Sequence, residues 1–315
     1  MSLHGSFDKI SSADTPIVLL IFNRPQHTLR VLERLAVVRP QKLYVVADGP
    51  REGITEEADN CLRTRQLIEK IDWDCHVSKN YSDSNLGCKK RVSSGLDWVF
   101  SEVESAIILE DDCLPDLSFF QFCQELLNHY RHDSRVMAIS GDNFQFGKNQ
   151  TPYSYYFSRY PHCWGWATWK RAWKHYDIEM KLWPEIREGR WLRKILSNSS
   201  EVRYRTRIFQ QVFDNQIDSW AYAWGFANFI QNGLTILPKV NLVSNIGFAE
   251  DATHTQNAQS KFANMKTEAM CFPLQHPPFV ARHTTADDYT WQTMYSLPAR
   301  AKRRITKLLT SRFVG

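Results

Sequence analysis

The chain has 315 residues, 43% apolar and 23% charged, which is enough to bury one large core or two small ones. A formal charge of +5 with a pI near 8.8 suits a polyanionic ligand but excludes the strongly basic surface of a nucleic-acid binder. Seven cysteines, an odd number with no CxxC pair, exclude a disulfide framework or a zinc ribbon and point to a reducing compartment.

In chain order, "MSLHGSFDKISSADT" has no apolar core of the signal-peptide kind. Residues 1–14 are therefore expected to be a flexible N-terminus on a cytoplasmic protein, and nowhere does an apolar run reach the ~18 residues of a membrane span. "PIVLLIF" (Pro16–Phe22) reads as a buried strand. In "NRPQHTLRVLERL", Leu29, Leu32 and Leu35 at helical spacing and Pro25 near the start predict a helix. "KLYVVADG" is a second strand ending in Asp48-Gly49. "TEEADNCLRTRQLIEKI" is a helix with its acids first and its bases later, as the dipole prefers. "DCHVSKN", "LGCKKRVSSGLDWVF" and "SAIILEDD" follow as strand, helix and strand. Strands alternating with helices predict an α/β fold with a mostly parallel central sheet flanked by helices.

Ligands of open α/β sheets bind at the carboxyl ends of the strands. Three such ends carry polar signals here: Asn23-Arg24, Asp48-Gly49 and Glu110-Asp111-Asp112. An acidic cluster at a strand end can hold a divalent cation, act as an acid or base, or be a solvated turn. The apolar run "AIIL" pins this one to a sheet edge, and adjacent residues of a strand face opposite ways, so neighbouring carboxylates can serve different ligand groups. Without a nearby His or Cys, the cluster suits Mg2+ or Mn2+ better than zinc. In "SDSNLGCKKR", Gly87 is either a turn residue capping a helix or a point of close backbone approach to a ligand. In the second case Lys89, Lys90 and Arg91 lie near phosphates and the helix-start amides hold anions.

On these residues the first half resembles nucleotide-sugar glycosyltransferases of the GT-A fold. It is similar to the family of N-acetylglucosaminyltransferase I and, more loosely, to the family 2 transferases. The resemblance implies one GT-A domain over residues 15–285 and a Mn2+ or Mg2+ cofactor held by Asp112. It further implies that Asp111 contacts ribose with Glu110 beside it, that Asp48 accepts from uracil N3–H, and that Arg24 lies along the nucleotide. As a strand-end residue facing a cleft, Asp48 is expected to add little to stability.

In the second half, "YSYYFS" and "LTILP" read as short strands. "PHCWGWATWKRAW" spaces Trp166, Trp169 and Trp173 as on a helix. Trp164-Gly165-Trp166 resembles the Gly-Trp turn of the same family, which makes Trp164 and Trp166 pocket candidates and Trp169 and Trp173 core. "NQIDSWAYAWGF" resembles the family's base region. There the family has two acids ahead of the Trp, whereas here Asp218 stands alone before Ser219 and Trp220, so the register of the base stays open by one residue. Asp218 could equally N-cap the following helix. "GFAEDATHT" offers Glu250, Asp251 and His254 on a loop that could fold over a bound nucleotide, with His254 touching the diphosphate. Residues 286–315 form a basic C-terminal extension expected to make peripheral contact with the inner membrane.

The resemblance implies metal-dependent, inverting transfer of a sugar from a nucleoside-diphosphate donor, UDP first, to a hydroxyl of a carbohydrate or glycolipid in surface-polysaccharide synthesis. Two other readings stay open. A sugar-nucleotidyltransferase would carry a glycine-rich loop after the first strand, and "NRPQHT" has none. A non-catalytic sugar-nucleotide-binding protein would need no base, and the lone acid before Trp220 keeps that reading alive.

Overall fold

The first six elements alternate strictly. They are β1 (Ile17–Ile21), α1 (Pro25–Val38), β2 (Lys42–Ala47), α2 (Thr55–Ile68), β3 (His76–Tyr81) and α3 (Gly87–Glu102), and β4 (Ser105–Glu110) closes the series. The computed structural model describes residues 15–148, 151–248 and 260–299. Its other principal strands are β5 (Cys113–Pro115), β6 (Val136–Ser140), β7 (Tyr155–Ser158), β8 (Trp166–Trp169), β9 (Leu234–Pro238) and β10 (Val243–Asn245). Eight of them form one sheet in the order β3-β2-β1-β4-β8-β6-β9-β7, while β5 and β10 pair separately. β3, β2, β1 and β4 are parallel, and β8 runs antiparallel between β4 and β6. This is the expected α/β class.

Alternation along β1 explains why helices cover both faces. Ile17, Leu19 and Ile21 pack with Val31 and Leu35 of α1 and with the aromatic start of α4 (Ser118–His129). Val18 and Leu20 pack with Leu96 and Val99 of α3 and with Trp220 at the head of α9 (Trp220–Ile230). The stripe on α1 sits slightly off the expected one, because Leu32, Leu35, Val31 and Val38 are buried while Leu29 is 45% exposed. A third cluster joins α9 to α8 (Ser199–Phe213).

The helical spacing of the tryptophans misleads. Trp166 and Trp169 lie on β8, and only Trp173 ends a helix, α5 (Lys170–Trp173). Three residues apart on a strand, Trp166 and Trp169 face opposite sides of the sheet and join different cores. Trp166, expected in a pocket wall, is 1% exposed, stacked on Trp220 at 5.3 Å and packed near Trp224 at 5.7 Å. Packing also continues past residue 285. In α10 (Thr284–Thr290), Asp287 is 1% exposed and accepts from the Ser158 hydroxyl and Arg282, and Trp291 packs against Tyr204. Residues 300–315, with most of the basic tail, lie outside the described residues, and no described helix is long and apolar enough to cross a membrane.

Replacing Trp166 by Ala should therefore cost about 3–5 kcal/mol, the range for a buried large side chain. Leu62→Ala, at a site 57% exposed, should stay within about 0.5 kcal/mol. Chemical denaturation of both variants checks the assignment of Trp166 to the core.

Candidate active site

Through the antiparallel β8, strand β6 runs in the same direction as β4, so β1, β2, β4 and β6 all end at one edge of the sheet. Their ends and the start of α9 line a cleft of about 740 Å3. Arg24, Asp48, Glu110, Asp111, Asp112, Trp164 and Asp218, all singled out from the sequence, face it together.

The acids form the floor. Asp112 pairs with the Arg24 guanidinium at 3.1 Å, both side chains 12% exposed. The Asn245 amide also approaches Asp112, at 3.4 Å, and the Ile246 amide donates to the Asp112 carbonyl at 2.8 Å. Gly247 passes so close that a Cβ there would stand 2.0 Å from Asp112 Oδ2, so only glycine fits. Asp111 accepts from the backbone amide of Phe22 at 3.3 Å, which ties the end of β4 to that of β1. Burial, followed by repulsion from Asp112 and Asp111, pushes the Glu110 carboxyl up to about 8, and Arg24 only partly opposes this.

Among the described residues no group of three or more His, Cys, Asp or Glu is arranged to hold a metal by protein ligands alone. The donor set nevertheless fits Mg2+ or Mn2+, which keep phosphate and water oxygens and need one or two protein carboxylates. One guanidinium faces three crowded carboxyl groups, and a divalent cation would offset the excess negative charge.

A second pair of carboxylates organises the opposite wall. Asp48 accepts from the amides of Gly49 (2.9 Å), Leu86 (2.9 Å) and Gly87 (3.1 Å). Asp218 accepts from Cys88 (3.1 Å) and Lys89 (3.0 Å). The first amides of α3 do bind anions, then, but the anions are the protein's own side chains rather than phosphate. Gly87, at φ +78°, makes the turn and leaves room for the Asp218 carboxylate. Two expectations change as a result. Asp218 caps α3 and not α9, whose N-cap Ser219 has no side-chain bond. Asp48 has a structural task as well as a cleft-facing position. Burial raises its carboxyl above the usual range, and the amide bonds oppose that.

Lys90 is exposed and does not line the cleft, and Lys89 turns to Asn215 at 2.8 Å. Of the three bases only Arg91 lines it, while donating to Asn80. Trp164 is half-buried in the cleft wall beside Phe144 and Phe248, in contrast to Trp166. Glu250, Asp251 and His254 lie outside the described residues.

Two cleft-lining residues, Asp142 and His162, and one bracing residue outside the lining, Glu57, escaped the sequence reading. Asp142, two residues after β6, echoes the strand-end acid pattern of Asp48, with Gly141 before it where Gly49 follows Asp48; "AISGDN" could have revealed it. His162 carried no such signal. Glu57 is 4% exposed and binds Arg51 and Asn23, bracing the loops after β2 and β1. In the sequence it looked like one of two interchangeable helix-start acids.

No protein-family model and no curated protein matches the chain. Among solved structures it is similar to a mannosyltransferase from Pyrobaculum calidifontis in complex with GDP-Man and Mn2+, at 14% identity and a TM-score of 0.31. That match covers 49% of this chain and 44% of the mannosyltransferase, so the chain spans less than half of that protein's length. It is also similar to HddC from Yersinia pseudotuberculosis complexed with GMP-PN, at 12% identity and a TM-score of 0.30, covering 49% of this chain and 77% of that one. A third is 4-diphosphocytidyl-2C-methyl-D-erythritol synthase from Anaerococcus prevotii, at 12% identity and a TM-score of 0.28, covering 64% and 84%.

Two outcomes follow from the electrostatics. Asp48→Ala should lower stability by about 1–3 kcal/mol in the absence of any ligand, because it strips a buried acceptor from three amides. Equilibrium denaturation reads this directly, and a neutral result would mean the amides find other partners at no cost. The second concerns Glu110. Its folded-state carboxyl titrates near 8, against 4.5 in an open chain. Above pH 4.5 the unfolded chain gives up this proton while the fold retains it, so the group's contribution falls as pH rises toward 8 and then levels off. In EDTA, Glu110→Gln should therefore be more stable than wild type at pH 8, with the gap closing toward pH 4.5. Melting curves across that range test it, and a gap that widens toward acid would contradict a burial-driven shift.

Proposed function

We propose that the protein is a GT-A-type inverting glycosyltransferase that moves a sugar from a nucleoside-diphosphate donor, with UDP as the nucleotide, to a hydroxyl of a carbohydrate or glycolipid acceptor. Synthesis of a surface polysaccharide in the cytoplasm is the setting that suits it. The observation that carries the reading is the convergence of Arg24, Asp48, the Glu110–Asp112 cluster and Asp218 in one cleft at the carboxyl edge of the sheet. Parallel sheets bind nucleotides at this edge.

In this reading Asp48 and Arg24 seat the nucleotide and Asp111 takes the ribose. Asp112, with Glu110 beside it, would hold Mn2+ or Mg2+. When bound, such an ion supplies positive charge to the departing diphosphate. Arg24, already within 3.1 Å of Asp112, stands ready to follow the phosphates as the acids find a second counter-charge. Asp218, at the exposed rim of the cleft, takes the proton of the acceptor hydroxyl as its oxygen attacks the anomeric carbon.

One observation favours the second reading, a sugar-nucleotide-binding protein without catalysis. Both oxygens of Asp218 are already engaged in capping α3. A carboxylate oxygen has two acceptor sites, so capping and proton uptake are compatible, but the task of Asp218 needs an experiment. Asp218→Asn preserves size and most capping ability. As the base, it should lose transfer by roughly 10²–10⁴-fold with donor affinity retained and only a small drop in melting temperature. Donor hydrolysis and transfer assays with Mn2+ decide, and unchanged turnover would remove Asp218 from the chemistry. Separately, UDP should raise the melting temperature of the wild type only when Mn2+ or Mg2+ is present, by mass action, and Asp112→Ala should abolish that metal-dependent part. Metal-dependent stabilisation that survives Asp112→Ala would overturn the assignment of the metal to the strand end.

A further inference from the structure

The inner wall of the cleft contains polar groups that the roles above do not use. Asp142 is 1% exposed and His162 is 6% exposed, and both line the cleft. Asp142 Oδ2 accepts from the Trp164 amide at 3.2 Å, while Oδ1 has no partner. His162 Nε2 has none either. Two residues lining one cavity thus each carry a buried polar atom without a partner, which is costly unless a ligand or water completes it. Phe144, on the segment that carries Asp142, packs edge-on against the rings of His162 at 4.7 Å and Trp164 at 5.2 Å, so aromatic rings lie beside both residues.

We infer that Asp142 and His162 form the subsite that recognises the transferred sugar of the bound donor, taking its hydroxyls by hydrogen bonds while Phe144 and Trp164 lie against its C–H groups. This rests on the donor reading given above. Position supports it. β6 lies two strands from β4, about 10 Å across the sheet edge at ordinary strand spacing. A hexose attached to a diphosphate at the acid cluster would span that interval. Chemistry supports it too. Burial pushes the Asp142 carboxyl well above the carboxylate range, and burial, reinforced by Arg205, pushes the His162 imidazole down to about 3. Burial disfavours a charge on either group, and the His162 imidazole, neutral at physiological pH, can both donate and accept. Groups on which burial disfavours charge suit sugar hydroxyls better than phosphate or a divalent cation. A site of this kind discriminates strongly, because a sugar lacking the matching hydroxyl leaves the pair unsatisfied.

The test is calorimetric titration of the whole chain with Mn2+ and a panel of UDP, GDP, UDP-glucose, UDP-N-acetylglucosamine and GDP-mannose. For the sugar that the wild type prefers, Asp142→Ala and His162→Ala should each lower the ratio of nucleotide-sugar affinity to diphosphate affinity by about tenfold. Affinity for the diphosphate itself should not move. Asp142→Asn keeps an acceptor for the Trp164 amide and an uncharged donor toward the cavity. It should retain most of the preference, which guards against a variant that merely fails to fold. Unchanged ratios in both alanine variants, or equal losses for diphosphate and nucleotide sugar, overturn the inference and leave the donor reading intact. A folded wild type that binds no member of the panel overturns the donor reading, and the inference with it.

Discussion

Three carboxyl groups at the end of one buried strand are the constraint around which the cleft is organised. Charges of one sign resist being gathered in low dielectric, and the shifted Glu110 carboxyl records that resistance. Almost every nearby feature works against it. Arg24 comes from the start of α1, the Phe22 amide from the end of β1, Asn245 from the end of the distant strand β10 and Gly247 from just after it. Segments more than a hundred residues apart are drawn to one point because the acids need them there. A stable fold has little reason to assemble such a cluster, since apolar residues of similar volume would cost less. In the proposed reading the cluster is a site held ready for a cation and the phosphates it carries.

The opposite wall solves a related problem in another way. The first turn of α3 presents free amides toward the cleft, an anion site by construction. Asp48 and Asp218 fill it from two sides and thereby join the end of β2, the head of α3 and the approach to α9. The polarity of this wall is consequently fixed by the protein before any ligand arrives. In the proposed reading, phosphates entering the cleft would meet guanidinium groups, Arg24 and Arg91 among them, rather than helix amides.

Much of this was legible in the sequence. Short apolar runs alternating with amphipathic stretches specify the parallel half of the sheet, because strand and helix periods differ and turn residues separate them. The acids at strand ends were legible for the same reason, since a strand's last residue must lie at the sheet edge. Trp166 was misread because a spacing of three also occurs on a strand, where it sends the residues to opposite faces; the sequence alone does not say which period applies over eight residues. The partners of Asp48 and Asp218 were hidden more deeply. An acid beside the start of one helix can cap another, and only the tertiary arrangement brings Asp218 to the amides of Cys88 and Lys89, about 130 residues away. His162 had no local signal at all, since its character comes from the aromatic shell and from Arg205.

The two walls also differ in kind, which bears on how one cleft can treat the parts of a single donor differently. Near β4 the groups are charged and crowded, suited to phosphates and a cation. Near β6, Asp142 and His162 are buried beside aromatic rings, which in the proposed reading suits a polyhydroxylated ring. Between them lies Cys163, whose thiol is pushed well up by burial, with Glu110 and Asp142 adding to the shift from either side. A thiol kept protonated contributes bulk without charge, so the field of the acid cluster is not carried by an ionised side chain into the inner wall. The antiparallel strand β8 inserted between β4 and β6 creates this spacing. The same strand that breaks the parallel order of the sheet therefore separates the acid cluster at the end of β4 from Asp142 beyond β6.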